Sequence, residues 1–327
     1  MLLLVESVTW ASDQPVIAVL VGLVGLITGA ELLVRGAVWI ALTLGMSRMA
    51  VGLTLVSIGT SLPELLVTLT AADDHADLAM GNVMGSNIAN ILLIVGVTAS
   101  IRAIHLNTKW FELIFMMLLT GLLCLPFFGE ELARWQAAIF LTVLVVFVGQ
   151  LLARERREHK SRTTDDAPRA PATRISWLIH TMMLSGGFII LAYSAEWLVE
   201  GAVVVARDLG MSPNVIGLTV IAIGTSMPEL ATSAVAAMRG QPEICIGNVI
   251  GSNIFNVGAV LGGAGLLKPF EFEPQLLDLV VTVIATLVLV TALRGAKRVP
   301  RLLGFSMVIA YASFLTLKVM IDKSGAS

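Results

Sequence analysis

Apolar residues fill this chain in blocks of about 20, separated by short polar breaks, and each block is long enough to cross about 30 Å of hydrocarbon as a helix. The pattern predicts ten spans, at about 15–44, 48–72, 77–100, 110–128 and 133–153, then at 175–209, 213–238, 242–267, 274–293 and 301–321. The first and sixth runs approach 30 residues. At 1.5 Å per residue that makes roughly 45 Å of helix, so both are expected to tilt or to protrude into the interfaces. Two spans break the pattern from within. "SIGTSLPELL" (Ser57–Leu66) and "AIGTSMPELA" (Ala222–Ala231) each place a glycine, a proline and a glutamate inside an otherwise apolar run.

Composition agrees with the spans. Hydrophobic residues make up 57% of the chain and charged residues 13%, about half the charged share of a soluble domain. A large soluble protein with many buried helices would need far more polar surface, so the lipid bilayer is the expected surrounding. The net charge of -2 suggests no nucleic-acid partner. Cys124 and Cys245 lie in apolar runs and read as buried thiols. The opening "MLLLVESVTWASDQ" lacks a basic region and does not read as a signal peptide.

One polar stretch divides the chain. "ARERREHKSRTTDDAPRAPATR" at 153–174 carries seven Lys/Arg and two prolines, which marks 154–174 as a linker between two membrane repeats, 1–153 and 175–327. By the positive-inside rule the linker is cytoplasmic. Arg48, Arg102, Lys109, Arg239 and the "RGAKRVPR" of 294–301 fall on the same side, while the acidic segments 73–77, 129–131 and 268–274 fall opposite. Both termini are therefore expected outside.

The two halves repeat one another. "GAELLVRGAV" (29–38) resembles "SAEWLVEGAV" (194–203). "GLTLVSIGTSLPEL" (52–65) matches "GLTVIAIGTSMPEL" (217–230) at ten of fourteen positions, and "GNVMGSNIANIL" (81–92) matches "GNVIGSNIFNVG" (247–258) at eight of twelve. Each half has an odd number of spans, so the second copy enters the membrane from the other side. Such inverted repeats recur among secondary transporters.

The repeated residues carry oxygen chemistry. A proline inside a span removes a donor and clashes with the preceding turn, which is expected to free carbonyls near Thr60 and Ser61 and near Thr225 and Ser226. Irregular backbone at membrane depth is tolerated only under cover of protein or around a cavity. Carbonyls, hydroxyls and a carboxylate form a hard oxygen cage suited to Na⁺ or Ca²⁺. The four histidines, His75, His105, His159 and His180, are scattered and offer no imidazole cluster. A carboxylate at the bilayer centre costs roughly 2.5 kcal/mol or more, yet Glu64 and Glu229 both accept that position. The two-fold would bring them together, where they repel unless a cation such as Ca²⁺ lies between them. Ser86 and Asn90 share a helix face, as do Ser252 and Asn256; they read either as ligands or as interhelical hydrogen-bond glue. Asn87 and Asn253 are expected to face elsewhere, and Asn82 and Asn248 to be structural or peripheral. Glu31 and Glu196 also repeat, with Arg35 or Glu200 one turn on, and read equally as lining an access path or as interfacial charges.

"GTSLPE…GSNIAN" and "GTSMPE…GSNIFN" closely resemble the two α-repeats of the calcium/cation antiporter superfamily, and are most similar to its prokaryotic Na⁺/Ca²⁺ exchanger branch. The resemblance covers essentially the whole chain. It implies an all-α membrane protein of ten transmembrane helices in two inverted five-helix repeats, in the plasma membrane of a bacterium or archaeon. It also implies that Thr60, Ser61, Glu64, Ser86 and Asn90, with Thr225, Ser226, Glu229, Ser252 and Asn256, form one Ca²⁺ site and overlapping Na⁺ sites. The first and sixth helices would slide across this core to alternate access. Some relatives have Asp where this chain has Asn256, so two formal negative charges are expected in the site and not three, which argues against K⁺ co-transport.

The expected function is antiport of Na⁺ against Ca²⁺, several Na⁺ entering per Ca²⁺ expelled, with both ions as substrates and no cofactor. A proton-coupled divalent-cation antiporter of the same fold is the alternative. A channel or sensor fits the duplicated site less well, and no nucleophile–base constellation suggests an enzyme. The sequence leaves the oligomeric state open, a monomer being compatible with it.

Overall fold

The computed structural model describes residues 10–74, 76–106, 108–159, 173–211, 220 and 222–325. They form helices α1 (Pro15–Thr43), α2 (Arg48–Thr60), α3 (Leu62–Asp74), α4 (Ala76–Ile101), α5 (Trp110–Gly129) and α6 (Arg134–His159). After the linker come α7 (Arg174–Asp208), α8 (Ala222–Thr225), α9 (Met227–Met238), α10 (Pro242–Leu267), α11 (Leu276–Ala296) and α12 (Arg301–Gly325). Eight of these are long and apolar enough to cross a membrane singly, and α2 with α3 makes a ninth span bent by 44°. The remaining expected span, 213–238, falls partly outside the described residues; α8 and α9 form its described part.

Local chemistry sets the element ends. Pro15 opens α1, where its missing N–H costs nothing. Gly45 (φ +74°) and Gly210 (φ +80°) terminate α1 and α7 in the left-handed conformation. The bonds that follow are equivalent: Met46 N–H donates to Ala41 O at 2.8 Å, and Met211 N–H to Ala206 O at 3.0 Å. Ser47 then caps α2 by accepting from Ala50 N–H, while Glu155 of α6 accepts from both the Ser47 N–H (2.7 Å) and its hydroxyl (2.9 Å).

α1 has 29 residues and α7 has 35, matching the long first and sixth runs. They pack along a glycine seam in which Gly22, Gly29 and Gly36 face Leu198, Leu191 and Leu184, and Gly187 faces Leu33. Small residues let two helix backbones approach closely where lipid offers no hydrophobic driving force. Aromatic contacts hold both ends of the seam: Trp10 meets Trp197 edge-on, and Trp39 meets Trp177 edge-on and stacks on His180.

α4 and α10 are the most enclosed spans and form the centre of the bundle. Two short antiparallel ribbons tie the halves together. Strand β1 (Ile104–His105) pairs with β4 (Arg298–Val299), and β2 (Glu131–Leu132) pairs with β3 (Phe270–Glu271). α5 separates the ribbons, so they lie at opposite ends of the bundle. Charge follows the same division. Arg301 at the first end donates to Ile101 O, whereas Asp77 at the other accepts from Glu273 N–H.

Candidate functional site

The break in the second span falls at Ser61, whose φ of −86° and ψ of 6° leave the helix; Ser226 repeats it at −89° and 6°. Few residues occupy this bridge region, and functional positions are over-represented there. Each break comes two residues before a proline, so Pro63 and Pro228 sit in the first turn of the next helix, where proline is tolerated. This narrows one sequence expectation, which put freed carbonyls near Thr60 and Ser61 and near Thr225 and Ser226. The Ser61 and Ser226 carbonyls are not freed; they accept from Leu65 N–H (3.2 Å) and Leu230 N–H (3.0 Å). Pro63 and Pro228 instead withdraw the donors due to Gly59 and Gly224, four residues earlier.

Glu64 and Glu229 follow the breaks by one turn. Both are fully buried. Ser61 Oγ donates to Glu229 Oε1 across the two halves at 3.3 Å. Thr60 Oγ1 lies within hydrogen-bonding distance of Val56 O (3.1 Å) and of Asn248 Oδ1 (3.3 Å). The helices carrying the glutamates are pinned alike. Asn82 Nδ2 donates to Glu64 O (3.2 Å) and Thr68 Oγ1 (3.0 Å), and Asn248 Nδ2 donates to Glu229 O (3.4 Å) and Ser233 Oγ (3.0 Å).

The other eight expected site residues have a different property. Glu64, Ser86, Asn90, Thr225, Ser226, Glu229, Ser252 and Asn256 each present a buried side-chain oxygen with no hydrogen-bond partner among the described residues. One such group costs about 1–3 kcal/mol, so a cluster of them is stable only around something that binds oxygen. Among the described residues no three His, Cys, Asp or Glu side chains converge. The arrangement is two carboxylates among neutral oxygens, a donor set that suits hard cations.

α4 and α10 both widen into a π-helical turn at the site, over Ala89–Val95 and Asn256–Leu261. Such turns are rare and concentrate at functional positions. Asn87 and Asn253, expected to face elsewhere, instead bond to the asparagine of the opposite half: Asn90 Nδ2 donates to Asn253 Oδ1 at 3.3 Å, and Asn256 Nδ2 donates to Asn87 Oδ1 at 3.2 Å. Sequence reasoning treated the two as bystanders, although their presence in both blocks was the available signal. Glu31 also acquires a long-range partner, pairing with Arg35 on its own helix and with Arg239 just beyond α9.

The asparagine contacts and the ribbons share one symmetry, whereas the Ser61–Glu229 bond has no counterpart, Ser226 Oγ and both Glu64 oxygens being without a partner among the described residues. Asn82 and Asn248, Asn87 and Asn253, Asn90 and Asn256, and β1 and β3 are each 166 residues apart, and each pair makes equivalent bonds. The halves therefore share one internal two-fold with the site on it.

Comparison with known proteins bears on this geometry. The family model described as "Sodium/calcium exchanger protein" matches residues 15–152 and 179–320, one block per half. Sodium/calcium exchanger MaX1 of Methanosarcina acetivorans is 31% identical over 91% of this chain and 96% of its own length. Inner membrane protein YrbG of Escherichia coli is 37% identical over 78% of this chain and 80% of its own. The solved structure of the sodium/calcium exchanger from Methanococcus jannaschii superposes with a TM-score of 0.78 at 28% identity, covering 93% of this chain and 98% of that one. An all-α membrane protein whose two halves each match the family and whose fold coincides with a solved exchanger is a cation antiporter and not an enzyme, and this chain belongs to the sodium/calcium exchanger family.

Proposed function

We propose that this protein exchanges Na⁺ for Ca²⁺, several Na⁺ entering for each Ca²⁺ expelled, at the site on the internal two-fold. The observation that carries the reading is the set of buried oxygens without a partner among the described residues on eight of the ten candidate residues, the fully buried Glu64 and Glu229 among them. Ca²⁺ between the two carboxylates cancels their charge and draws on Thr60, Thr225 and nearby oxygens. Na⁺ ions use the same carboxylates with Ser61, Ser226, Ser86, Ser252, Asn90 and Asn256, so the two loads exclude each other.

Exclusion explains obligatory exchange. Two buried charges without a counter-ion cost several kcal/mol, so the empty site resists closing into a dry, occluded state, and either load removes that barrier. The α1–α7 pair, joined by its glycine seam and its end-caps of aromatic rings, is the element built to slide as one body over the site. The asymmetric charge distribution supports a cytoplasmic linker and external termini in a plasma membrane.

The test is radiolabelled Ca²⁺ uptake into proteoliposomes under imposed Na⁺, K⁺ or H⁺ gradients, applied one at a time. Uptake driven by an outward Na⁺ gradient is expected. Equal uptake driven by a H⁺ gradient in the absence of Na⁺ would overturn the Na⁺ coupling and leave a proton-coupled antiporter.

A further inference from the structure

We infer that Asn87 and Asn253 are positioning residues, each holding the side-chain amide of the opposite half's site asparagine so that its carbonyl oxygen faces the transported cation. The inference rests on the reading of Asn90 and Asn256 as ligands.

An asparagine amide is two-faced: its Oδ1 attracts a cation and its NH₂ repels one. The terminal torsion that exchanges the two faces has broad, roughly two-fold preferences, so the residue does not aim itself. A partner on the NH₂ does. Asn90 and Asn256 are fully buried and each has one such partner, Asn253 Oδ1 at 3.3 Å and Asn87 Oδ1 at 3.2 Å. In both residues the remaining Oδ1 is buried and unpartnered. One hydrogen of each amide lies along the cross-bond, which fixes the NH₂ on that side and leaves the oxygen for the ion.

This accounts for the spacing N-x-x-N in both blocks. Within each half the second asparagine enters the site and the first, one turn earlier, reaches across to orient the other half's ligand. Two ligands that belong to different repeats are thereby locked reciprocally. It also makes position 256 and position 87 a matched pair. An aspartate at 256 has no amide hydrogen to donate, so Asn87 would have to turn its own NH₂ toward it.

The test is a set of double-mutant cycles read as the half-saturating Ca²⁺ concentration for Na⁺-driven uptake by the full chain in proteoliposomes. Asn87→Ala and Asn256→Ala are each expected to raise it about tenfold, the worth of one oriented hydrogen bond. The double variant is expected to be no worse than Asn256→Ala alone, because Asn87 acts only through Asn256. Asn253→Ala with Asn90→Ala should behave the same way. The same-half pair Asn87→Ala with Asn90→Ala should multiply to roughly a hundredfold, since they serve different bonds. Packing residues would give multiplied effects across the two-fold as well, and that result would overturn the inference. Where an alanine variant does not fold, Asn87→Gln and Asn253→Gln decide: each keeps a neutral amide oxygen as acceptor without adding charge and is expected to hold half-saturation within about threefold of wild type, and an alanine-like loss in both would overturn it. Glu64→Gln runs alongside. Wild-type uptake in Glu64→Gln would refute the site itself, whereas dead Glu64→Gln with multiplied cross-pairs would refute the positioning role alone.

Discussion

Replacing Glu64 by Gln changes one atom's identity and one unit of charge in a site closed to water. Glu64 is fully buried and both of its carboxylate oxygens lack a hydrogen-bond partner among the described residues, so a bound cation is its expected counter-charge. With Gln the formal charge of the site falls from two negatives to one, and bound Ca²⁺ leaves one positive charge uncompensated. An uncompensated buried charge costs roughly 3–5 kcal/mol, which at 1.4 kcal/mol per decade weakens Ca²⁺ binding by about 10²- to 10⁴-fold. The same change removes the repulsion between the paired carboxylates, so the cation-free variant is expected to be at least as heat-stable as wild type. The assay is thermal unfolding of purified protein in detergent with and without Ca²⁺, together with proteoliposome uptake. Wild type at a hundred times its dissociation constant should gain about 2.7 kcal/mol from the ligand; Glu64→Gln at the same concentration should gain no more than about 0.4 kcal/mol and transport nothing. A variant that keeps the wild-type Ca²⁺-dependent shift would refute the reasoning, because the charge would then not be at the ion.

Gly187→Val tests the α1–α7 seam: a Cβ at 187 falls 2.6 Å from Leu33 N and 2.8 Å from Gly29 O, both backbone atoms. The two helices must separate, so a loss of about 1–3 kcal/mol in unfolding free energy and slowed exchange are expected. Asn248→Ala removes the donor to Glu229 O and Ser233 Oγ and should cost about 1–3 kcal/mol of stability, measured by the same melt. Arg239→Gln cuts the tie between Glu31 and the end of α9. The pair is more than a third exposed on the Arg239 side, so its worth is about 0.2–1 kcal/mol. The melt should barely move, while the maximal exchange rate changes by up to about fivefold through the balance of open states; an unchanged rate would exclude a gating role.

Several features were legible in the chain before any coordinates. Blocks of apolar residues announce the spans because a helix must satisfy its backbone within the bilayer. The GTS-x-PE break, the paired glutamates and the repeat at an offset of 165 or 166 follow from residue identity alone, since proline and a carboxylate are costly at membrane depth wherever they occur. The exchanger fold was legible for the same reason, in the two matching blocks.

The tertiary structure decided what depends on pairs of residues far apart in the chain. Only packing brings Asn87 to Asn256, Asn253 to Asn90 and Ser61 to Glu229, across separations of 163 to 169 residues. Helical periodicity places Asn87 off the Ser86–Asn90 face, and so away from the site, because it describes one helix and not its neighbour. The π turns in α4 and α10 leave no mark in composition. Local sequence determines where a helix breaks and what charge it carries. Which oxygen ends up without a partner, and is therefore available to an ion, is a property of the assembled bundle.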